Sequence, residues 1–138
     1  MQYAEPVRAH WCARVLVVND DVRLASSVQM LLTEVGYEAR VASDGEAALR
    51  TLERWPADLV LLDLMMPHLD GWGFLARRAA EPQLARAQVL VWSVAGPAEL
   101  ERARTLGADE CLPGGSTPPD ALMDTVAHLL AEARQPAI

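Results

Sequence analysis

Acidic side chains follow two apolar segments that the sequence predicts to be buried strands. Asp63 directly follows the apolar residues 59–62, and Asp20 and Asp21 come shortly after the apolar residues 15–18. Carboxylates held close together repel one another, so a cation is needed to stabilise them side by side. Hard oxygen ligands favour Mg²⁺, which usually completes its coordination with water and phosphate oxygens. The pattern therefore predicts a Mg²⁺ and phosphoryl site in which a carboxylate is the nucleophile.

Each of these polar positions also has a simpler interpretation. Ser93 follows the apolar residues 89–92, and its hydroxyl is either a donor to a phosphoryl oxygen or an ordinary group at a strand end. Asp21 precedes a helical pattern and is predicted to cap that helix. Considered by itself, Asp63 also fits a solvated residue at a strand end, but the other polar positions favour the phosphoryl site.

Five apolar segments of strand length alternate with five segments of helical spacing. Short connections between them predict a parallel α/β sheet with right-handed crossovers and helices on both faces. The strands are predicted at residues 14–18, 37–41, 59–62, 89–92 and 110–112, of which the second, half-exposed one is an edge. The predicted inward faces of the helices are Leu24, Val28, Leu31 and Val35; Ala48, Leu49 and Leu52; Trp72, Leu75, Ala76 and Ala79; Leu100, Ala103 and Leu106; and Leu122, Val126, Leu129, Leu130 and Ala133.

Local signals predict where several helices begin and end. Gly36 is expected to end the first helix, and Pro97 suits the first position of the fourth. Ser43 followed by Glu46 matches a capping box, with the serine as the cap of the second helix.

Composition limits the classes of function. The chain has 138 residues, enough for one domain, predicted at residues 14–133 between a flexible extension (1–13) and a tail (134–138). Its net charge is −7 and its 12 basic residues are all arginines without a basic stripe, which argues against direct nucleic-acid binding. It contains no apolar run of the roughly 18–20 residues that a membrane span needs, and its two cysteines favour a reduced, cytoplasmic setting.

On these motifs the sequence resembles a receiver domain of the bacterial two-component response regulators. Residues 63–71 match the phosphoacceptor loop of that family, Asp-x-x-Met-Pro-x-x-Asp-Gly, and residues 17–21 resemble its acidic cluster after the first strand. Ser93 falls at the family's Ser or Thr switch, and residues 107–109 match its Gly-Ala-Asp turn. The resemblance implies a flavodoxin-like (βα)5 fold, a doubly wound five-stranded parallel sheet in the order 2-1-3-4-5, and a signalling domain rather than an enzyme.

The resemblance also assigns roles to residues. Asp63 is implied to accept a phosphoryl group from a histidine kinase or phosphotransfer protein, and Ser93 to turn inward onto that group. Mg²⁺ would be held by Asp20, Asp63 and the backbone carbonyl of Met65. The signal would leave through the fourth and fifth helices and the fifth strand, towards a downstream output protein or an output domain outside this chain. The same face allows a homodimer.

The sequence departs from the family in three respects. Asn19 replaces an acid; it is expected to hold a metal-bound water but to weaken Mg²⁺ binding. Gly114 and Gly115 replace a lysine and its following proline, and losing this cation should cost at least a charge-assisted hydrogen bond, about 1.5–3 kcal/mol. Cys111 replaces a common aromatic switch residue, and the role of Trp92, a large neighbour of the switch, is open.

Two other functions remain as alternatives. A pseudo-receiver would keep the fold but act as a protein–protein interaction module without phosphorylation, which Asn19 and Gly114 favour. A flavin-binding protein of similar fold is disfavoured, because Asp20 and Asp21 would repel the flavin phosphate.

Overall fold

The computed structural model describes residues 12–134, so the predicted extension and tail lie almost wholly outside the described residues. Within this range strands and helices alternate. They are β1 (Arg14–Val18), α1 (Val22–Val35), β2 (Glu38–Ala42), α2 (Gly45–Arg54), β3 (Leu59–Leu62), α3 (Gly71–Ala80), β4 (Gln88–Ser93), α4 (Pro97–Thr105), β5 (Glu110–Pro113) and α5 (Pro119–Arg134). No helix in this range is long and apolar enough to cross a bilayer.

The five strands form one parallel sheet in the order β2-β1-β3-β4-β5, which confirms the predicted flavodoxin-like fold. β3 lies at the centre of the sheet and all four of its residues are buried. Val18 pairs with Leu62, and Leu62 pairs with Val91. The carboxyl ends of β1, β3 and β4 therefore lie side by side at one edge of the sheet, where parallel α/β sheets bind ligands.

The two faces of the sheet carry separate apolar clusters. Leu16 and Val18 of β1 point into the cluster that contains α2, α3 and α4, whereas Val15 and Val17 point into the one that contains α1 and α5. This alternation follows from the two-residue period of a strand. Because both faces are covered, the central strands are continuous apolar runs, as in other parallel sheets.

The predicted buried face of α1 was partly wrong. The buried residues are Ala25, Val28 and Leu32, whereas Leu24 and Val35 are 39% and 60% exposed. The apolar pattern of this helix is wide enough to fit two registers, and packing against β1 and β2 selects the one with the small Ala25 at the contact.

The predicted buried face of α3 was right for Leu75 but wrong for Ala76 and Ala79, for a different reason. Phe74, Leu75 and Arg78 are buried, while Ala76 and Ala79 are exposed. The guanidinium of Arg78 donates to the carbonyl oxygens of Ala87 (2.7 Å) and Gly107 (3.1 Å), and it lies 3.6 Å from a carboxylate oxygen of Asp109. A buried charge with several acceptors is tolerated, and a search for apolar residues passes over it.

The helix ends mostly agree with the sequence. Gly36 ends α1 with φ 113° and Pro97 begins α4, as predicted. The capping box on α2 is not formed, because the cap is Asp44, whose carboxylate accepts from the N–H of Ala47 at 2.8 Å. A charged acceptor satisfies the free amide and the helix dipole together, so it takes the place predicted for Ser43.

Candidate functional site

A cavity of about 250 Å³ opens at the carboxyl edge of the sheet. It contains residues from the ends of β1, β3, β4 and β5, as the parallel topology predicts. We refer to it as the acidic cavity. Its lining residues are Asn19, Asp20, Asp21, Leu24, Asp63, Met65, Trp92, Ser93, Val94 and Gly114.

Asp63 is fixed by several hydrogen bonds. Its backbone N–H donates to the carbonyl of Val18 at 2.9 Å, which extends the sheet pairing past the end of β3. Its carboxylate accepts from the Ser93 hydroxyl at 2.7 Å, and the backbone N–H groups of Leu64 and Met65 lie near enough to favour its charged form. One hydroxyl and two neighbouring amides thus surround the carboxylate at the strand end.

Burial raises the pKa of Asp63 above its ordinary value, and the charge of Asp20 raises it further. Hydrogen bonds from Ser93, Leu64 and Met65 act in the opposite direction but do not cancel the effect. Desolvation and a like charge both disfavour the ionised form. The ionised Asp63 would therefore be stabilised by a cation placed between it and Asp20.

Ser93 is not an ordinary strand-end residue. Its side chain is buried, and the hydroxyl both donates to Asp63 and accepts from the N–H of Leu64 at 3.2 Å. The resemblance implied that this hydroxyl turns inward onto a phosphoryl group. The hydroxyl already points inward here, because the end of β3 offers it a donor and an acceptor.

The loop between β1 and α1 separates the acids by role. Asp21 caps α1 by accepting from the N–H of Leu24 at 3.1 Å, as predicted. The side-chain oxygen of Asn19 accepts from the N–H of Asp21 at 2.9 Å, which shapes the turn. Asp20 is exposed, lines the cavity and is left as the carboxylate that faces Asp63.

The donor set of the acidic cavity fits Mg²⁺. No group of three His, Cys, Asp or Glu side chains suited to a metal ion occurs in the described part of the chain. Mg²⁺ needs fewer, since one or two carboxylates with waters and phosphate oxygens satisfy it. Asp20 and Asp63 supply these carboxylates, and Met65, whose backbone carbonyl is a ligand by the resemblance, lines the same cavity. The oxygen of Asn19 has a second lone pair for a metal-bound water.

The loop between β3 and α3 is held at several points. Gly71 donates to the carbonyl of Leu64 at 2.9 Å, and Gly45 of α2 donates to the carbonyl of Leu69 at 2.9 Å. His68 has a left-handed backbone (φ 66°), and its Nδ1 lies 2.8 Å from a carboxylate oxygen of Asp44. The backbone that carries Asp63 and Met65 is therefore fixed to the starts of two helices.

On the β5 side of the cavity, glycine allows the backbone to approach β4 closely. Gly114 donates to the carbonyl of Ser93 at 2.8 Å. A Cβ atom at this position would lie 3.0 Å from the carbonyl carbon of Ser93 and 3.1 Å from the nitrogen of Val94. Nearby, Cys111 is buried, and burial raises the pKa of its thiol.

A model of the response regulator receiver domain matches residues 15–126. The chain belongs to the response regulator receiver family. A receiver domain is a signalling domain of two-component systems, not an enzyme. Members of the family typically use Mg²⁺, and membership implies a histidine kinase as the partner.

Two curated relatives agree with this assignment. The receiver is 32% identical over 117 residues to the gliding motility regulatory protein of Myxococcus xanthus, an alignment that covers 84% of this chain and 15% of that protein. It is also 32% identical over 123 residues to the sensory transduction protein RegX3 of Mycobacterium tuberculosis, covering 88% of this chain and 51% of RegX3. The chain thus spans about half of RegX3 and less of the Myxococcus protein.

Solved structures show the same architecture. The signal receiver domain of a histidine kinase from Syntrophus aciditrophicus superposes with a TM-score of 0.81 at 26% identity, covering 92% of this chain and 97% of that one. The receiver domain of the Francisella response regulator 1452 superposes with a TM-score of 0.78 at 27% identity, covering 88% of this chain and 99% of that one.

Proposed function

We propose that this receiver accepts a phosphoryl group on Asp63, with Mg²⁺, from a histidine kinase or phosphotransfer protein. The observation that carries the proposal is the position of the Asp63 carboxylate, which lies at the end of the central strand in an open cavity opposite Asp20. Burial, and to a smaller extent the charge of Asp20, raises the pKa of Asp63, and a nearby cation would favour its ionised form. Ser93 and two backbone amides surround the same carboxylate.

In the proposed reaction a carboxylate oxygen of Asp63 attacks the phosphorus of phosphohistidine. A new O–P bond forms as the P–N bond breaks, and the imidazole leaves with the electron pair. Ser93 and the N–H groups of Leu64 and Met65 orient the carboxylate and are placed to donate to the transferred group. Mg²⁺ held by Asp20, Asp63 and the Met65 carbonyl, with a water on Asn19, would supply the positive charge that phosphoryl transfer needs.

Intact mass after incubation with Mg²⁺ and acetyl phosphate tests this proposal. We expect one phosphoryl adduct on the natural chain and none on Asp63→Asn. Asp21→Asn is the matched control, because it removes a neighbouring acid whose role is to cap α1; it should retain the adduct. An adduct that persists in Asp63→Asn would contradict the proposal.

A phosphorylation-independent pseudo-receiver is the second candidate. It is favoured by Gly114 and by the lack of any Lys, Arg or His among the described residues that line the acidic cavity. Calorimetry with Mg²⁺ beside the mass measurement separates the two functions. Mg²⁺ binding without any adduct would favour the pseudo-receiver.

The proposed output surface is formed by α4, β5 and α5. From it the signal would pass to a downstream output protein, to an output domain outside this chain or through a homodimer. RegX3 is described as a sensory transduction protein, and this chain corresponds to about half its length. A reduced cytoplasmic setting is part of the same proposal.

A further inference from the structure

Trp92 lies between the proposed phosphoacceptor and the end of β5. It pairs with Leu112 of β5, and the register of β3 with β4 places it beside Asp63, one position past the last paired residues. Its ring packs against the apolar cluster of α1 and α5 and also lines the acidic cavity. Gly114 and Asp63 line the same cavity as Trp92.

The indole nitrogen of Trp92 has no hydrogen-bond partner although it is buried. A buried donor without a partner costs free energy, so such donors are rare and need an explanation. Two other buried side-chain atoms in the described residues share this state, on Arg78 and Gln88, but neither residue lines the acidic cavity. Of these three residues, Trp92 is thus the one that lines the cavity with Asp20 and Asp63.

A group bound at Asp63 would bring more negative charge than the Ser93 hydroxyl and the neighbouring backbone N–H groups are suited to offset. A phosphoryl group brings three acceptor oxygens and a charge of about −1.5 to −2. Ser93 is the hydroxyl at this position, and no cationic side chain is found among the described lining residues. Among the described residues that line this cavity, Trp92 carries the unpaired buried donor.

A lysine at position 114 would not fit the observed backbone without a shift. Its Cβ would press on the backbone of Ser93 and Val94 at 3.0–3.1 Å, closer than ordinary packing. The observed backbone at position 114 therefore favours glycine.

We propose that Trp92 binds the phosphoryl group on Asp63 through its indole N–H. This inference rests on the proposed function of Asp63. It requires the partly buried ring to shift when the group binds, so that the covered nitrogen reaches an acceptor oxygen.

Beryllofluoride with Mg²⁺ is the probe, because it mimics a phosphoryl group on a carboxylate without being hydrolysed. Trp92→Phe keeps an aromatic ring and removes the N–H, and we expect its dissociation constant for beryllofluoride to rise about 10-fold, the effect of one hydrogen bond. Trp72→Phe is the matched control, since the Trp72 indole donates to the carbonyl of Glu99 instead; it should bind as the natural chain does.

Two further measurements keep the test independent of a folding defect. In the natural chain, the NMR signal of the Trp92 indole proton should move downfield when beryllofluoride binds. Gly114→Lys alone should not tighten binding, because its Cβ would press on the backbone of Ser93 and Val94. This inference would be overturned if the natural chain binds the probe, the indole signal does not move and Trp92→Phe binds the probe with the same dissociation constant. That result would leave Asp63 as the acceptor. A natural chain that binds no probe and takes no phosphoryl group would overturn the proposed function as well.

Discussion

At the scale of single residues, the site holds a carboxylate in surroundings that disfavour its charge. Hydrogen-bond donors orient the Asp63 carboxylate. Burial nevertheless has the largest effect on its pKa, which it raises, and the charge of Asp20 raises the pKa further. Functional residues are often held in such unfavourable states. Burial of the charged Asp63 carboxylate lowers the stability of the fold. Removing that charge, or pairing it with a cation, should restore this stability.

Asp63→Asn should therefore stabilise the metal-free protein at neutral pH. Because the folded-state pKa is raised, the folded protein binds this proton more tightly than the unfolded chain does. Stability from this group is highest below the unfolded pKa, about 3.9, and falls as pH rises through the folded pKa. We expect the free energy of unfolding to increase at pH 7 and to be unchanged near pH 3, as measured by urea unfolding. A loss of stability at pH 7 would contradict this interpretation of the site.

The contribution of Asp44 to stability should depend on pH in the opposite direction. The N–H of Ala47, then His68, hold its pKa below the ordinary value. Its stabilising effect should be present above the unfolded pKa and lost as pH falls through the folded one. Asp44→Ala is expected to lower the midpoint of thermal unfolding at pH 7, and by less at acid pH. Ser43→Ala is the control and should leave the midpoint unchanged, since Ser43 is not the cap.

At the scale of elements, the start of α3 packs against the loop that carries Asp63. A Cβ atom on Gly71 would lie 2.6 Å from the carbonyl oxygen of Asp63 and 2.7 Å from the Cα of Leu64. Both are backbone atoms, so neither can move alone. The loop and the helix therefore depend on glycine at this position.

Gly71→Ala should cost more than about 2 kcal/mol of unfolding free energy, because it overpacks a rigid contact. Gly115→Ala is the matched control: a Cβ there meets nothing within 4 Å. Chemical unfolding of both variants checks this prediction. Equal stabilities would mean that the loop adapts and does not fix Asp63.

The sequence predicted the positions of the strands and helices better than it predicted which side chains of each helix are buried. Apolar runs located the central strands because parallel strands covered on both sides have no polar alternation. The faces of α1 and α3 were less predictable: a wide apolar stripe allowed two registers in α1, and in α3 a buried arginine, Arg78, takes a core position. Its acceptors come from Ala87 and Gly107, 9 and 29 residues away in the chain, so no local pattern reports them.

The sequence also predicted which residues of the site would meet, since parallel strands bring their carboxyl ends to one edge. It did not predict the hydrogen bonds. The inward position of Ser93 and the unpaired nitrogen of Trp92 depend on side-chain conformations set by the packing of neighbouring strands. Leu24 and Val94 also line the cavity, and nothing in their sequence pattern distinguished them from helix and loop residues.

At the scale of the whole molecule, Mg²⁺ should act as a stabilising ligand. An ion that binds only the folded state adds RT ln(1 + [Mg²⁺]/Kd), which is about 1.4 kcal/mol at ten times Kd. Thermal unfolding of the natural chain should shift upward with Mg²⁺. Asp20→Asn and Asp63→Asn should shift little, since each loses one of the two carboxylates. An equal shift in all three proteins would place the ion elsewhere.

The most direct test of the account is to locate the phosphoryl group. After incubation with Mg²⁺ and acetyl phosphate, sodium borohydride reduces an aspartyl phosphate to homoserine, and peptide sequencing by mass spectrometry identifies the residue. We predict homoserine at position 63, dependent on Mg²⁺, and aspartate retained at positions 20 and 21. Homoserine at another position, or none in a chain that binds Mg²⁺, would contradict the assignment of Asp63 as the acceptor.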